Sequence, residues 1–233
     1  MSGSQFAGAL LVGVIPSLLW LFFWMREDSE QPEPRSLLAG CFFVGMIVVV
    51  VAIFVEQFIA GIVTDPVAKY TWWAVVEEVL KFVAVACVGL FARSNDEPID
   101  AMIYCVAVAL GFAALENALF VMTPLSNGEL AASIIQGNLR SIGATLVHVV
   151  SSALVGFGLS LAFYRGRAMK FLLWLGGLLG AIAIHTAFNL SIIGADASDT
   201  LKAFGWIWGA VVVMIVLFEE VKGVKPKIPA PVV

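Results

Sequence analysis

Apolar residues run through this chain in stretches too long for a soluble fold. Residues 36 to 55, 141 to 164 and 171 to 195 contain no Asp, Glu, Lys or Arg. About 20 apolar residues, rising 1.5 Å each in a helix, are enough to cross the hydrocarbon of a bilayer. Read this way from end to end, the pattern predicts an all-α polytopic membrane protein, a bundle of about seven transmembrane helices. The expected spans are residues 6–25, 37–59, 71–92, 99–122, 140–164, 171–193 and 202–218. The third and fourth are interrupted by charge. Gln31-Pro32-Glu33-Pro34, Thr64-Asp65-Pro66, Ser94-Asn95-Asp96-Glu97-Pro98, the Pro- and Gly-containing stretch Thr123 to Gly128, and the stretch Gly194 to Ser198 read as turns between them. The segment from Glu129 to Gln136 is too short to span, and reads as lying on the outer surface or re-entering before the fifth helix.

The loops are short, so residues 1–221 read as a single transmembrane domain with no soluble catalytic unit. Residues 222–233, with Pro226, Pro229 and Pro231, read as a frayed cytoplasmic tail. No basic residue precedes the first span, its apolar run is long, and no small-residue cleavage site comes before Arg26, so it is expected to be retained rather than cleaved as a signal peptide. Basic residues set the orientation. Arg26, Arg35, Arg93, Arg165, Arg167, Lys170, Lys222, Lys225 and Lys227 fall on one side, and Lys69, Arg140 and Lys202 on the other. By the positive-inside bias the N-terminus lies outside and the C-terminus in the cytoplasm, with the cell membrane as the location.

Composition agrees. The chain is 61% hydrophobic and 13% charged, with mean hydropathy +0.99, against about 45–50% and about 25% in soluble domains. A net charge of -4 without a basic cluster ahead of the C-terminus excludes nucleic-acid binding. Cys41, Cys87 and Cys105 sit in apolar runs with no CxxC spacing and read as small buried hydrophobes. Gly176-x-x-x-Gly180, beside Gly177, reads as a close-packing signal on the sixth helix. Trp72, Trp73, Trp206 and Trp208 read as interface belts.

The informative residues are those that hydrocarbon penalises. An ionisable group near mid-membrane costs roughly 2.5–3.5 kcal/mol even on the lenient insertion scale, so it faces a bundle interior or a watery cavity and marks function. The third span carries Glu77, Glu78 and Lys81, the fourth Glu116, the fifth His148, and the sixth His185 and Asn189. At 1.5 Å per residue, Glu77 and Glu116 lie about 9 Å, and His148 and His185 about 12 Å, below the outer surface. Four helices thus bring polar groups to one layer and predict a polar cavity in the outer half of the membrane. Spacings of three and four put Glu78 and Glu77 on faces shared with Lys81, His148 with Ser152, and His185 with Asn189. Glu77 and Glu78 are about 100° apart on the helix and cannot both point at one atom. Glu56 and Gln57, at the outer end of the second span, read as interfacial.

These residues form EExxK (Glu77 to Lys81), FxxxE (Phe112 to Glu116), HxxxS (His148 to Ser152) and HxxxN (His185 to Asn189), in order on four successive spans. The set resembles the PrsW family of intramembrane proteases, relatives of the CAAX prenyl endopeptidases and the CPBP proteins. The resemblance covers residues 77 to 189. It implies a helical bundle whose cavity holds a glutamate-activated water, and cleavage of a membrane-anchored protein, an anti-sigma factor in founding members. Lys81 stands where the prenyl endopeptidases have Arg, and Glu116 where they have His, which leaves the division of roles between the histidines open.

Amide hydrolysis needs a base for water, donors for the oxyanion and an acid for the leaving amine. Glu77 is the expected base, with Glu78 and Lys81 orienting it. His185 and Asn189 are expected oxyanion donors, His148 a second donor or proton carrier, Glu116 a support for a histidine or the water, and Ser152 a hydrogen-bond partner. No cofactor is required by this scheme. Two alternatives remain beside it: a zinc site made of Glu77, Glu116, His148 and His185, and a proton- or ion-coupled transporter using the same groups as a relay. The expected partners are the lipid bilayer and a membrane-anchored protein substrate; oligomeric state is not legible.

Overall fold

The computed structural model describes residues 3–26, 31–193 and 195–225. These fold as α1 (Gly3–Trp24), α2 (Arg35–Ile62), α3 (Pro66–Val85, continued by a π-helical turn at Ala86–Leu90), α4 (Asp100–Ser126), α5 (Leu130–Ile142), α6 (Ala144–Ala162), α7 (Arg167–Ile192) and α8 (Ala197–Lys222). No strand occurs among them. Helices α1, α2, α4, α7, α8 and the α5–α6 run are long and apolar enough to cross a membrane. The chain is an integral membrane protein. Helix α3, the remaining expected span, carries the charged residues and packs against α2, α4, α6 and α7.

Helix α4 is the centre of the bundle, packed against α1, α2, α3, α5 and α6. Its run from Ala101 to Ala114 is buried on every side, as expected of a helix apolar all round. In lipid the approach of helices depends on small residues at their contacts. A Cβ on Gly45 or Gly111 would strike the backbone of the facing helix in the α2–α4 pair, and one on Gly13 would do so between α1 and α4. The α6–α7 pair closes in the same way around Gly158 and Gly177. The small-residue signal on the sixth span is thus carried by Gly177, whose added Cβ would meet Leu154 and Val155, whereas Gly176 faces open space.

Several boundaries shift for local reasons. Helix α3 begins at Pro66, earlier than the pattern predicts, because Asp65 caps it: its carboxylate accepts the Ala68 N–H at 2.7 Å, with Pro66 at the first helical position. Helix α4 runs on to Ser126 through Pro124, and the turn after it is made at Gly128, with φ 83°. The short segment after Glu129 is a helix, α5, and the fifth span starts at Ala144 rather than 140. Between them Gly143 lies under the Phe204 and Phe188 rings, where a Cβ would collide. Gly194 and the tail from residue 226, expected as turn and frayed end, lie outside the described residues.

Candidate active site

The charged helix α3 is tolerable in the bundle because two of its buried charges, Glu78 and Lys81, pair with each other. Glu77, Glu78 and Lys81 are all buried. Glu78 has a complete set of partners from three helices. Its Oε1 accepts from Lys81 Nζ at 2.6 Å and pairs with His185 Nδ1 at 2.7 Å, and its Oε2 accepts from Ser152 Oγ at 3.4 Å. Ser152 is a hydrogen-bond partner, as its place in HxxxS suggests.

Glu116, at the far end of α4 from Asp100, does for His148 what Glu78 does for His185. Its Oε2 lies 2.8 Å from His148 Nε2 and 2.7 Å from Arg140 Nη2. A carboxylate accepts and does not donate, so each imidazole carries its proton on the nitrogen facing its carboxylate. That leaves His148 Nδ1 and His185 Nε2 as lone pairs. Both lie 3.7 Å from Glu77 Oε2. The two rings meet edge to face, centroids 5.0 Å apart. Glu77 Oε2 is buried and has no hydrogen-bond partner, a costly condition for a carboxylate oxygen.

These atoms face a cavity of about 380 Å³. Its walls include Glu56, Tyr70, Trp73, Phe120, Arg140, Phe188 and Asn189 along with Glu77, Glu116 and both histidines. Lys81 lies behind it, its ammonium 4.9 Å from the Phe112 ring centroid and 3.1 Å from His148 Nδ1. Four carboxylates, Glu56, Glu77, Glu78 and Glu116, thus face two fixed cations, Lys81 and Arg140. In a low-dielectric interior that formal deficit favours a bound cation or bound protons.

Glu77, His148 and His185 offer one ligand atom each, all within 4.8 Å of one another, the group of this kind among the described residues. Two imidazoles and a carboxylate are a known catalytic zinc donor set. Each imidazole here also has its outer nitrogen on a carboxylate, the arrangement that fixes metal-binding histidines. The orphaned Glu77 oxygen is what such a site leaves for an ion, so the residues fit zinc. Glu116, counted among the metal donors from sequence alone, is instead engaged with His148 Nε2 and Arg140.

The family profile described as PrsW family intramembrane metalloprotease matches residues 33–220. The chain belongs to this family. Among relatives, the protease PrsW of Geobacillus kaustophilus is 30% identical over 187 residues, 79% of each chain. The protease PrsW of Clostridioides difficile is 25% identical over 166 residues, 69% of this chain and 68% of the relative. That of Shouchella clausii is 26% identical over 184 residues, 77% and 81%. No solved structure matches the chain. As a PrsW protein, it is an intramembrane protease, and the ion-coupled transporter reading finds no support.

Glu56, Trp73 and Arg140 are among the wall residues that the sequence did not place in the cavity. Glu56, expected at the interface, lines the cavity, and its carboxyl group contacts that of Glu77. Trp73, expected in an interface belt, donates its indole N–H to the Glu56 carbonyl at 3.2 Å and forms a wall. Arg140 carried no signal beyond its charge. For Glu56 the usable signal was its charge at the end of an otherwise apolar span.

Proposed function

We propose that this protease hydrolyses a peptide bond of a membrane-anchored protein where Glu77, His148 and His185 converge, using a water activated there as the nucleophile. The observation that carries this reading is the buried, unpartnered Glu77 Oε2, equidistant at 3.7 Å from one nitrogen of each imidazole. A zinc ion held by Glu77, His148 and His185 would supply a water that ionises near neutral pH and a Lewis acid for the carbonyl oxygen. Glu78 and Glu116 accept the outer N–H groups of the imidazoles and so keep their inner lone pairs turned toward Glu77. Asn189, one turn beyond His185 on α7 and on the cavity wall, is the candidate donor to the developing oxyanion.

A second reading needs no metal and makes Glu77 a glutamate-type base. It is favoured by Lys81 Nζ, which already sits 3.1 Å from the His148 Nδ1 lone pair. Here His185, once protonated on both ring nitrogens, and Asn189 donate to the oxyanion, and His148 carries the proton. The basic-residue bias supports a cavity in the outer half of the cell membrane, suited to a single-span substrate of the anti-sigma-factor type.

The test is cleavage of a panel of single-span membrane proteins by purified wild type, by Glu77→Gln, and by wild type with a chelator. Loss in the variant and under chelation, with recovery on added zinc, is the expected result. Loss in the variant alone makes the enzyme a metal-free glutamate protease. Equal turnover by Glu77→Gln removes that residue from the reaction.

A further inference from the structure

Arg140 belongs to α5, the short helix that does not cross the membrane by itself, yet its guanidinium is built into the cavity wall. Three contacts hold it, all with α4. Its Nη2 donates to Glu116 Oε2 at 2.7 Å, its Nε donates to Asn117 Oδ1 at 2.8 Å, and its Cζ lies 3.7 Å from the Phe120 ring centroid. Glu116 and Phe120 are four apart and share a helix face, with Asn117 beside them, so the planar fork is matched on its edge and on its flat side. Asn117 is itself held, its Nδ2 donating to Thr145 Oγ1 at 2.8 Å on α6. The oxygen that Arg140 grips is the same atom that lies 2.8 Å from His148 Nε2.

We infer that Arg140 is a positioning residue for the hydrolysis, acting on His148 through Glu116, and that α5 is thereby part of the site. The Glu116 side chain is 20% exposed to the cavity. Without the guanidinium its carboxylate is free to rotate toward cavity water, and the His148 ring loses the acceptor that keeps Nδ1 facing Glu77. The helical run is interrupted at Gly143, between Arg140 and His148. On one straight helix, positions 140 and 148 would lie about 12 Å apart along the axis; with α5 and α6 as separate helices, both side chains reach Glu116 Oε2. Helix α5 packs against α4, α6 and α1, with Leu130, Ile134, Ile135, Leu139 and Ile142 on its exposed apolar face. Arg140 is its link to the chemistry.

The inference rests on the assignment of His148 to the reacting centre, and the experiment separates the two. Cleavage of one single-span substrate is measured with the full chain in nanodiscs, for wild type, Glu77→Gln, Arg140→Gln, Arg140→Lys, Glu116→Gln and the Arg140→Gln/Glu116→Gln double variant. Arg140→Gln is expected to lower kcat about 10-fold or more, with KM and melting temperature close to wild type. Arg140→Lys, which keeps the charge on Glu116, recovers most of that loss. A residue acting only through Glu116 adds nothing once Glu116 is replaced, so the double variant matches Glu116→Gln. Wild-type kcat in Arg140→Gln, or a double variant slower by the product of the two losses, overturns the inference and leaves the site assignment standing. Equal cleavage by wild type and Glu77→Gln overturns both. Should Arg140→Gln fail to fold, Arg140→Met, which keeps the length and drops the charge, takes its place in the cycle, and its loss must likewise vanish in the Glu116→Gln background.

Discussion

Glu77 and Glu78 are adjacent, equally buried and chemically identical, yet they stand in opposite positions. Glu78 compensates Lys81 in the interior, with His185 and Ser152 completing its shell. Glu77 leaves an oxygen without a partner. Breaking a buried ion pair by removing one member costs about 3–5 kcal/mol, because the other charge remains uncompensated. Glu78→Gln is therefore expected to lower the melting temperature in detergent markedly, while Glu77→Gln leaves it near wild type and removes cleavage. A large thermal loss in Glu77→Gln would show that this carboxylate is structural. The contrast follows from hydrogen-bond accounting, since the residue whose capacity is filled by the protein holds the fold, and the one left open is available to a reactant.

At the scale of elements, close helix contacts are set by which small residue faces the neighbour. On α7 the glycine against α6 is Gly177, with Gly176 turned to open space. Gly177→Leu forces α6 and α7 apart and is expected to cost about 1–3 kcal/mol or more, as overpacking does. A Cβ at Gly176 meets no neighbouring atom, so Gly176→Ala should leave thermal stability unchanged or slightly raised by the better helix propensity. Melting curves of the two variants check this, and a reversed order would mean that α7 is rotated by a residue. The packing matters for function because α6 carries His148 and α7 carries His185, so their separation sets the distance from each imidazole to Glu77.

For the molecule as a whole, the cavity gathers side chains from six helices around an excess of carboxylate. A ligand that binds the folded state alone stabilises it by mass action, about 2.7 kcal/mol at a hundredfold excess over its Kd. Zinc is accordingly expected to raise the melting temperature of the purified protein, and Glu77→Gln to abolish the rise. An unchanged melting temperature in wild type would favour the metal-free glutamate reading. This measurement is independent of any substrate.

The sequence by itself determined that the chain is a helical membrane protein and where its spans run to within a few residues, and it pointed to Glu77, Glu116, His148 and His185 at similar depth, with Lys81 and Ser152 on faces shared with Glu77 and His148. Those properties are written in hydrophobic run length and in spacings of three and four, which are local along a helix. Only the tertiary structure decided that Glu116 serves His148 while Glu78 serves His185, that Gly177 rather than Gly176 meets α6, and that Glu56, Trp73 and Arg140 line the cavity. Each of these depends on how neighbouring helices are rotated about their axes and on where α5 breaks from α6. Packing of whole helices fixes those rotations, and hydrophobicity along one helix does not reveal which partner it will face.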